Sequence, residues 1–110
     1  MAKIPDGDKM WCLAMFDMPV STKQQQAAAN GFRNLLLDLG FWRVQYSVYV
    51  RYAPLAGGSA QALAAIRKQL PAGGEVRIFH VTDRQWQTAF RFVNAEPVST
   101  EDAPLQLTIF

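Results

Sequence analysis

Met10-Trp11-Cys12-Leu13-Ala14-Met15-Phe16-Asp17-Met18-Pro19 is the stretch that decides the fold. Seven apolar residues in succession, closed by an acid and a proline, have the length of a strand rather than of a helix. A strand without polar alternation is buried on both faces and belongs in the interior of a sheet. The rest of the chain can be placed around it.

A helix signal follows at once. Ser21 and Gln24 have the spacing of a capping box, in which hydroxyl and amide satisfy free backbone N–H groups. Ala28, Phe32, Leu35, Leu36 and Leu39 then recur on one helical face, and Gly40 supplies the stop. From Phe41 to Tyr52 the period changes to two. Trp42, Val44, Tyr46, Val48, Val50 and Tyr52 share one face, and Arg43, Gln45, Ser47 and Arg51 share the other. As a single strand the segment would be about 40 Å long at ~3.3 Å per residue. That is too long for a domain of about 13 Å radius of gyration, so it bends or breaks.

Pro54, Gly57 and Gly58 mark a loop, and Ser59 can cap a second helix whose buried stripe is Leu63, Ile66 and Leu70. Val76 to Val81 reads as a strand, Thr82 and Gln85 repeat the capping-box spacing, and Ala89 to Val93 is strand-like. The expected organisation is a polar extension over 1–9, a domain over 10–93, a linker over 94–104 and a terminal strand over 105–110. Two helices on one face of a four-stranded sheet give an α+β, ferredoxin-like βαββαβ sandwich with an extra C-terminal strand. The second sheet face needs a cover. A loose apolar strand at the end of the chain would be a liability, so Leu105, Leu107, Ile109 and Phe110 are expected to add to a sheet edge, which in so small a domain can belong to a second copy.

Composition limits the chemistry. The 110 residues carry one cysteine and one histidine, which excludes an internal disulfide and a His/Cys metal site. No apolar run is long enough to span a bilayer and the first residues lack a signal-peptide pattern, so a cytoplasmic protein without membrane partners is expected. The net charge is +2, with arginine dominating the cations, and arginine presents a planar fork suited to phosphate. No nucleotide-binding loop or nucleophile elbow is present.

Two candidates remain. Asp17, at the end of the central strand, could bind magnesium, which takes one or two carboxylates together with waters and phosphate oxygens; the alternative is a carboxylate capping the turn before Pro19. One such group per chain is a poor site, but two copies meeting near this strand end would supply two. The row Arg43, Gln45, Ser47 and Arg51 could follow a phosphate backbone, or face solvent or a second subunit. Trp11, Trp42 and Trp86 read as core or interface residues, and Cys12 as a small buried hydrophobe.

With Met15-Phe16-Asp17, Phe32-Arg33-Asn34-Leu35-Leu36, Gln45-Tyr46-Ser47-Val48-Tyr49-Val50 and Leu105-Gln106-Leu107-Thr108-Ile109-Phe110 in this order, the chain resembles CRISPR-associated protein 2. Met10-Trp11, Val81-Thr82-Asp83-Arg84-Gln85 and the terminal Gln-Leu-x-x-Phe are similar to its type II-C branch. The resemblance implies a homodimer whose C-terminal strand pairs with the partner's sheet. It implies a dimer that bridges two dimers of CRISPR-associated protein 1, the integrase, and holds duplex DNA during spacer acquisition. It also implies magnesium-dependent endonuclease activity on RNA or DNA, with Asp17 as catalytic metal ligand. The first helix has few cations for this family, which leaves Arg33, Arg43, Arg51 and Arg84 as the phosphate-binding candidates. A small-ligand or regulatory domain of the same fold is the third reading, since fold alone does not decide function.

Overall fold

The computed structural model describes residues 9–55 and 57–104. The expected strand at 105–110, with Leu105, Leu107, Ile109 and Phe110, lies outside the described residues, as does most of the extension at 1–9. The elements run β1 (Met10–Asp17), α1 (Lys23–Asp38), β2 (Trp42–Gln45), β3 (Val48–Ala53), α2 (Ala60–Lys68), β4 (Glu75–Thr82), α3 (Asp83–Gln87), β5 (Arg91–Val93) and β6 (Glu96–Val98). The main sheet has the order β2-β3-β1-β4, with every neighbouring pair antiparallel. This is the ferredoxin-like α+β arrangement. As its unbroken apolar run dictates, β1 is an interior strand, with Trp11, Cys12 and Ala14 fully buried.

Residues paired across antiparallel strands share a face, which separates two sides of the sheet. On the helical side, Cys12, Ala14 and Phe16 pack with Tyr49, with Phe32 and Leu36 of α1, and with Ala62 and Ile66 of α2. Phe16 meets Phe32 edge-on at 5.2 Å and Tyr49 at 5.6 Å between ring centroids. The buried residues of α1 are Ala29, Phe32 and Leu36, so Ala29 and not Ala28 heads the inward stripe. The cap moves in step with it. Thr22, rather than Ser21, is the N-cap, with Thr22 Oγ1 accepting from the Gln25 N–H at 3.0 Å and Gln25 Oε1 accepting from the Thr22 N–H at 3.1 Å. At the other end the Phe41 N–H donates to the Leu36 carbonyl and the Gly40 N–H to the Leu37 carbonyl. Gly40 has φ +91°, the left-handed conformation such a stop demands.

The long alternating segment is a tight hairpin. It breaks at Tyr46-Ser47, where Ser47 has φ +63°, and a bulge interrupts the pairing between Arg43 and Gln45. Arg43 is opposite Tyr49 and Gln45 opposite Val48, so the two fall on different sides. The expected single row of Arg43, Gln45, Ser47 and Arg51 is therefore not formed. On α2 Ala62 and Ile66 are buried and Leu63 packs partly buried against the core, while Leu70 lies beyond the helix and half-exposed.

Among the described residues the second side of the sheet is closed at one end only. There Trp86 of α3 stacks on Trp11 at 4.3 Å and 14°, while Trp42 and Tyr52 meet Trp11 edge-on. Trp11 Nε1 donates to Asp83 Oδ1 at 2.8 Å, and the Thr82–Gln85 capping box forms as its spacing predicts. Beyond this cluster, Met15 and Phe79 remain 38% and 39% exposed. Strands β5 and β6 pair as a separate hairpin, so part of the segment expected to be a linker, 94–104, is strand. Its turn residues Asn94 and Ala95 both have positive φ, as a two-residue hairpin turn requires.

Candidate nucleic-acid and metal site

Asp17 is the last residue of β1, and its strand partner in β4 is Glu75. Two positions earlier on the same face, Met15 pairs with Arg77 on one side and with Val48 on the other. The β2–β3 turn is fastened over this end of the strand by the Phe16 N–H, which donates to the Ser47 carbonyl at 3.2 Å. Together Asp17, Glu75, Arg77, Tyr46, Ser47 and Met15 line an open pocket of about 370 Å³. The loop entering β4 passes tightly behind it. Gly74 has φ +79°, and a Cβ there would lie 2.5 Å from the Asp17 carbonyl oxygen. Any side chain at that position would displace the strand end that presents Asp17.

Asp17 is exposed. Among the described residues no hydrogen bond or ion pair holds its carboxylate, and the turn-capping alternative finds no such bond. Glu75 Oε2 accepts from Arg77 Nη2 at 3.1 Å, with both side chains well exposed. Among the described residues no group of three or more His, Cys, Asp or Glu is assembled to hold a metal. Among the described residues, Asp17 and Glu75 offer two carboxylates. That suits a magnesium ion whose remaining ligands are waters and phosphate oxygens, and does not amount to a protein cage.

The four arginines named from sequence are not brought together. Arg33, on α1, donates to Asn30 Oδ1 at 2.8 Å. Arg43 is exposed on the edge strand β2, with no ion pair to another described residue. Arg84 is exposed on α3 beside Asp83, Gln87 and Thr88. Arg51 is taken up by the fold: Nε donates to the Leu39 carbonyl at 2.9 Å, and Nη1 to the Gly58 carbonyl at 3.0 Å and Ser59 Oγ at 3.2 Å. It ties the end of α1 to the start of α2 from the helical side and is not presented to a ligand. Cys12 lies close by. Burial pushes its thiol above the ordinary value, against the Ser59 hydrogen bond and the nearby Arg51 charge, so it stays protonated as a buried hydrophobe would.

Glu75 and Arg77 were not among the residues singled out from sequence. Both sit in the weakly amphipathic strand after Gly73-Gly74, and only pairing with β1 reveals that they border Asp17.

The family model described as "CRISPR associated protein Cas2" matches residues 10–89, from the first residue of β1 past the end of α3. The chain belongs to the Cas2 family. It is 42% identical over 101 residues to a protein of Paracidovorax avenae named "CRISPR-associated endoribonuclease Cas2", covering 92% of this chain and 94% of that one. It is similar to proteins of the same name from Flavobacterium psychrophilum, at 33% identity over 92% of this chain and 88% of the relative, and from Parvibaculum lavamentivorans, at 36% over 92% and 100%. The matched span of this Cas2-family chain includes the strand-end carboxylate, the hairpin turn over it and the Trp11–Trp86 stack. Among the described residues no helix is long and apolar enough to cross a membrane.

Proposed function

We propose that this Cas2-family chain acts as a homodimer, as the duplex-DNA-binding scaffold subunit of the CRISPR spacer-acquisition complex, where it bridges dimers of CRISPR-associated protein 1. The observation that carries the reading is the half-covered sheet. Leu13, Met15, Val48 and Phe79 form an apolar strip between the tryptophan cluster and the Asp17 pocket, on the side away from α1 and α2. A second copy laid on that strip would bury it and set two Asp17 pockets beside one another. The edge of β4, unpaired among the described strands, would accept Leu105, Leu107, Ile109 and Phe110 of the other copy. Contacts from Arg33, Arg43 and Arg84 to phosphates would hold a duplex without reading its sequence, which suits the capture of arbitrary DNA.

A second reading, magnesium-dependent cleavage of RNA or DNA, is favoured by the exposed Asp17 carboxylate and by the names of the relatives. A bound magnesium ion would polarise a phosphoryl oxygen or lower the pKa of a bound water. Asp17 would hold it, with Glu75 as second carboxylate. The described residues that line the pocket include no histidine, cysteine or lysine to move a proton, and His80 lies on the helical side, paired with Cys12. The scaffold role is therefore the better match to the geometry.

Co-purification with the integrase separates the two. The scaffold reading expects a stable complex that retains duplex DNA and integrates spacers equally well with Asp17→Asn. Failure of the two proteins to associate would overturn it. Cleavage abolished by both Asp17→Asn and a chelator, together with loss of integration, would favour the enzyme.

A further inference from the structure

We propose that Arg77 grips a backbone phosphate of the bound duplex in the Asp17 pocket, and that the Glu75 carboxylate holds its guanidinium until DNA displaces it. This rests on the duplex-binding reading and assigns it a contact that the residue pattern alone did not suggest.

Placement comes first. The register Asp17↔Glu75 and Met15↔Arg77 puts all four residues on the side of the sheet opposite the helices, and all four line the same pocket. The Arg77 side chain rises from the face of β4 and is itself exposed, so a strand added to the β4 edge through its backbone groups would not use the guanidinium. The pocket is also self-consistent only with a cation in it. Asp17 and Glu75 alone would repel a phosphodiester, and Arg77 is the one Lys or Arg among the described residues that line it.

The ion pair that occupies Arg77 is easily exchanged. Its two side chains are 68% and 72% exposed, and water screens ion pairs of that kind until they hold their partners only weakly. A phosphate offers the guanidinium two parallel charge-assisted hydrogen bonds, which is the stronger arrangement. Arg51, by contrast, already has three acceptors within the fold and would have to surrender them. Exposure at Arg77 and commitment at Arg51 are what distinguish the two.

A double-mutant cycle on the full-length chain tests this, using a fluorescently labelled duplex, a chelator and a salt titration. Arg77→Ala is expected to weaken binding about tenfold, the worth of one charge-assisted contact, and to reduce the salt slope by about one per occupied pocket. Arg77→Lys should recover part of the loss. Glu75→Gln should tighten binding, and the gain should vanish in the Arg77→Ala background. An equal gain in both backgrounds would mean that Glu75→Gln only removes a repelling charge, and would overturn the proposal. So would an unchanged affinity and slope for Arg77→Ala. If the unsubstituted chain fails to bind duplex DNA at low salt, the scaffold reading falls with it; binding that persists without Arg77 sinks this contact alone. Circular dichroism checks the fold of each variant, which the exposure of both residues predicts to be intact.

Discussion

Arg51 sits on β3 between Val50 and Tyr52, yet its guanidinium is anchored to the Leu39 and Gly58 carbonyls and to Ser59 Oγ. Period-two alternation says which side chains share a face and is silent on whether that face looks inward. Arg51 turned inward because β3 pairs it with Cys12, in the middle of the helical side. Its loss leaves two backbone carbonyls and a buried hydroxyl short of a donor. Arg51→Ala is accordingly expected to destabilise the chain by about 1–3 kcal/mol in chemical denaturation, with duplex affinity of the folded fraction unchanged. Arg43→Ala, on the exposed edge strand, should do the opposite: stability within about 0.5 kcal/mol and weaker duplex binding. A large affinity loss in Arg51→Ala at full stability would return that residue to the DNA surface. The position of Asp17 at the end of β1 was legible from sequence because a strand end is a local feature. Glu75 and Arg77 were not, because their proximity to Asp17 exists only through pairing with a strand far along the chain.

At the scale of elements, most of the architecture was written locally and the exact registers were not. The apolar run of β1, the Gly40 stop and the Thr82–Gln85 box each formed where their residues indicated. The start of α1 moved by one residue because Ser21 and Thr22 each precede a glutamine by three positions, within the run Gln24-Gln25-Gln26. Hydroxyl and amide chemistry cannot choose between the two frames; burial does, since the frame from Thr22 accompanies the inward stripe Ala29, Phe32 and Leu36. Thr22→Ala should therefore cost about 0.5–2 kcal/mol, the ordinary worth of a cap. Gln24→Ala, which touches neither cap bond, should leave the unfolding midpoint in place. If Ser21→Ala were the more damaging of the two hydroxyl replacements, the assigned cap would be wrong. The hairpin break escaped a periodicity reading for a related reason. Tyr46-Ser47 continues the alternation of its flanks without a glycine or proline to mark the turn, and Ser47 adopts positive φ as a polar residue.

Among the described residues the sheet is lopsided: one side is closed by α1 and α2, and the other only by the Trp11–Trp86 stack at one end. Met15 and Phe79 remain over a third exposed on that second side, next to Leu13, Val48 and the Asp17 pocket. Fully burying a side chain of this size is worth about 1.5–3 kcal/mol, and a twofold contact counts each residue twice. A charge placed at Phe79 discriminates between a face that meets water and one that meets a second copy. In an isolated chain Phe79→Asp removes a partly exposed ring and leaves its carboxylate hydrated, so the monomer should stay folded. In a pair, two unpartnered carboxylates would be forced into an apolar contact, and a buried unpaired charge costs several kcal/mol. Sedimentation at micromolar concentration is thus expected to show a dimer for the unsubstituted chain and a folded monomer for Phe79→Asp, with Phe79→Leu remaining dimeric. Duplex affinity should fall along with dimerisation, because two linked phosphate-binding surfaces reinforce one another only when both are held on one body. A Phe79→Asp protein that sediments and binds DNA like its parent would mean that this face of the sheet is simply wet, and that any pairing of chains occurs elsewhere.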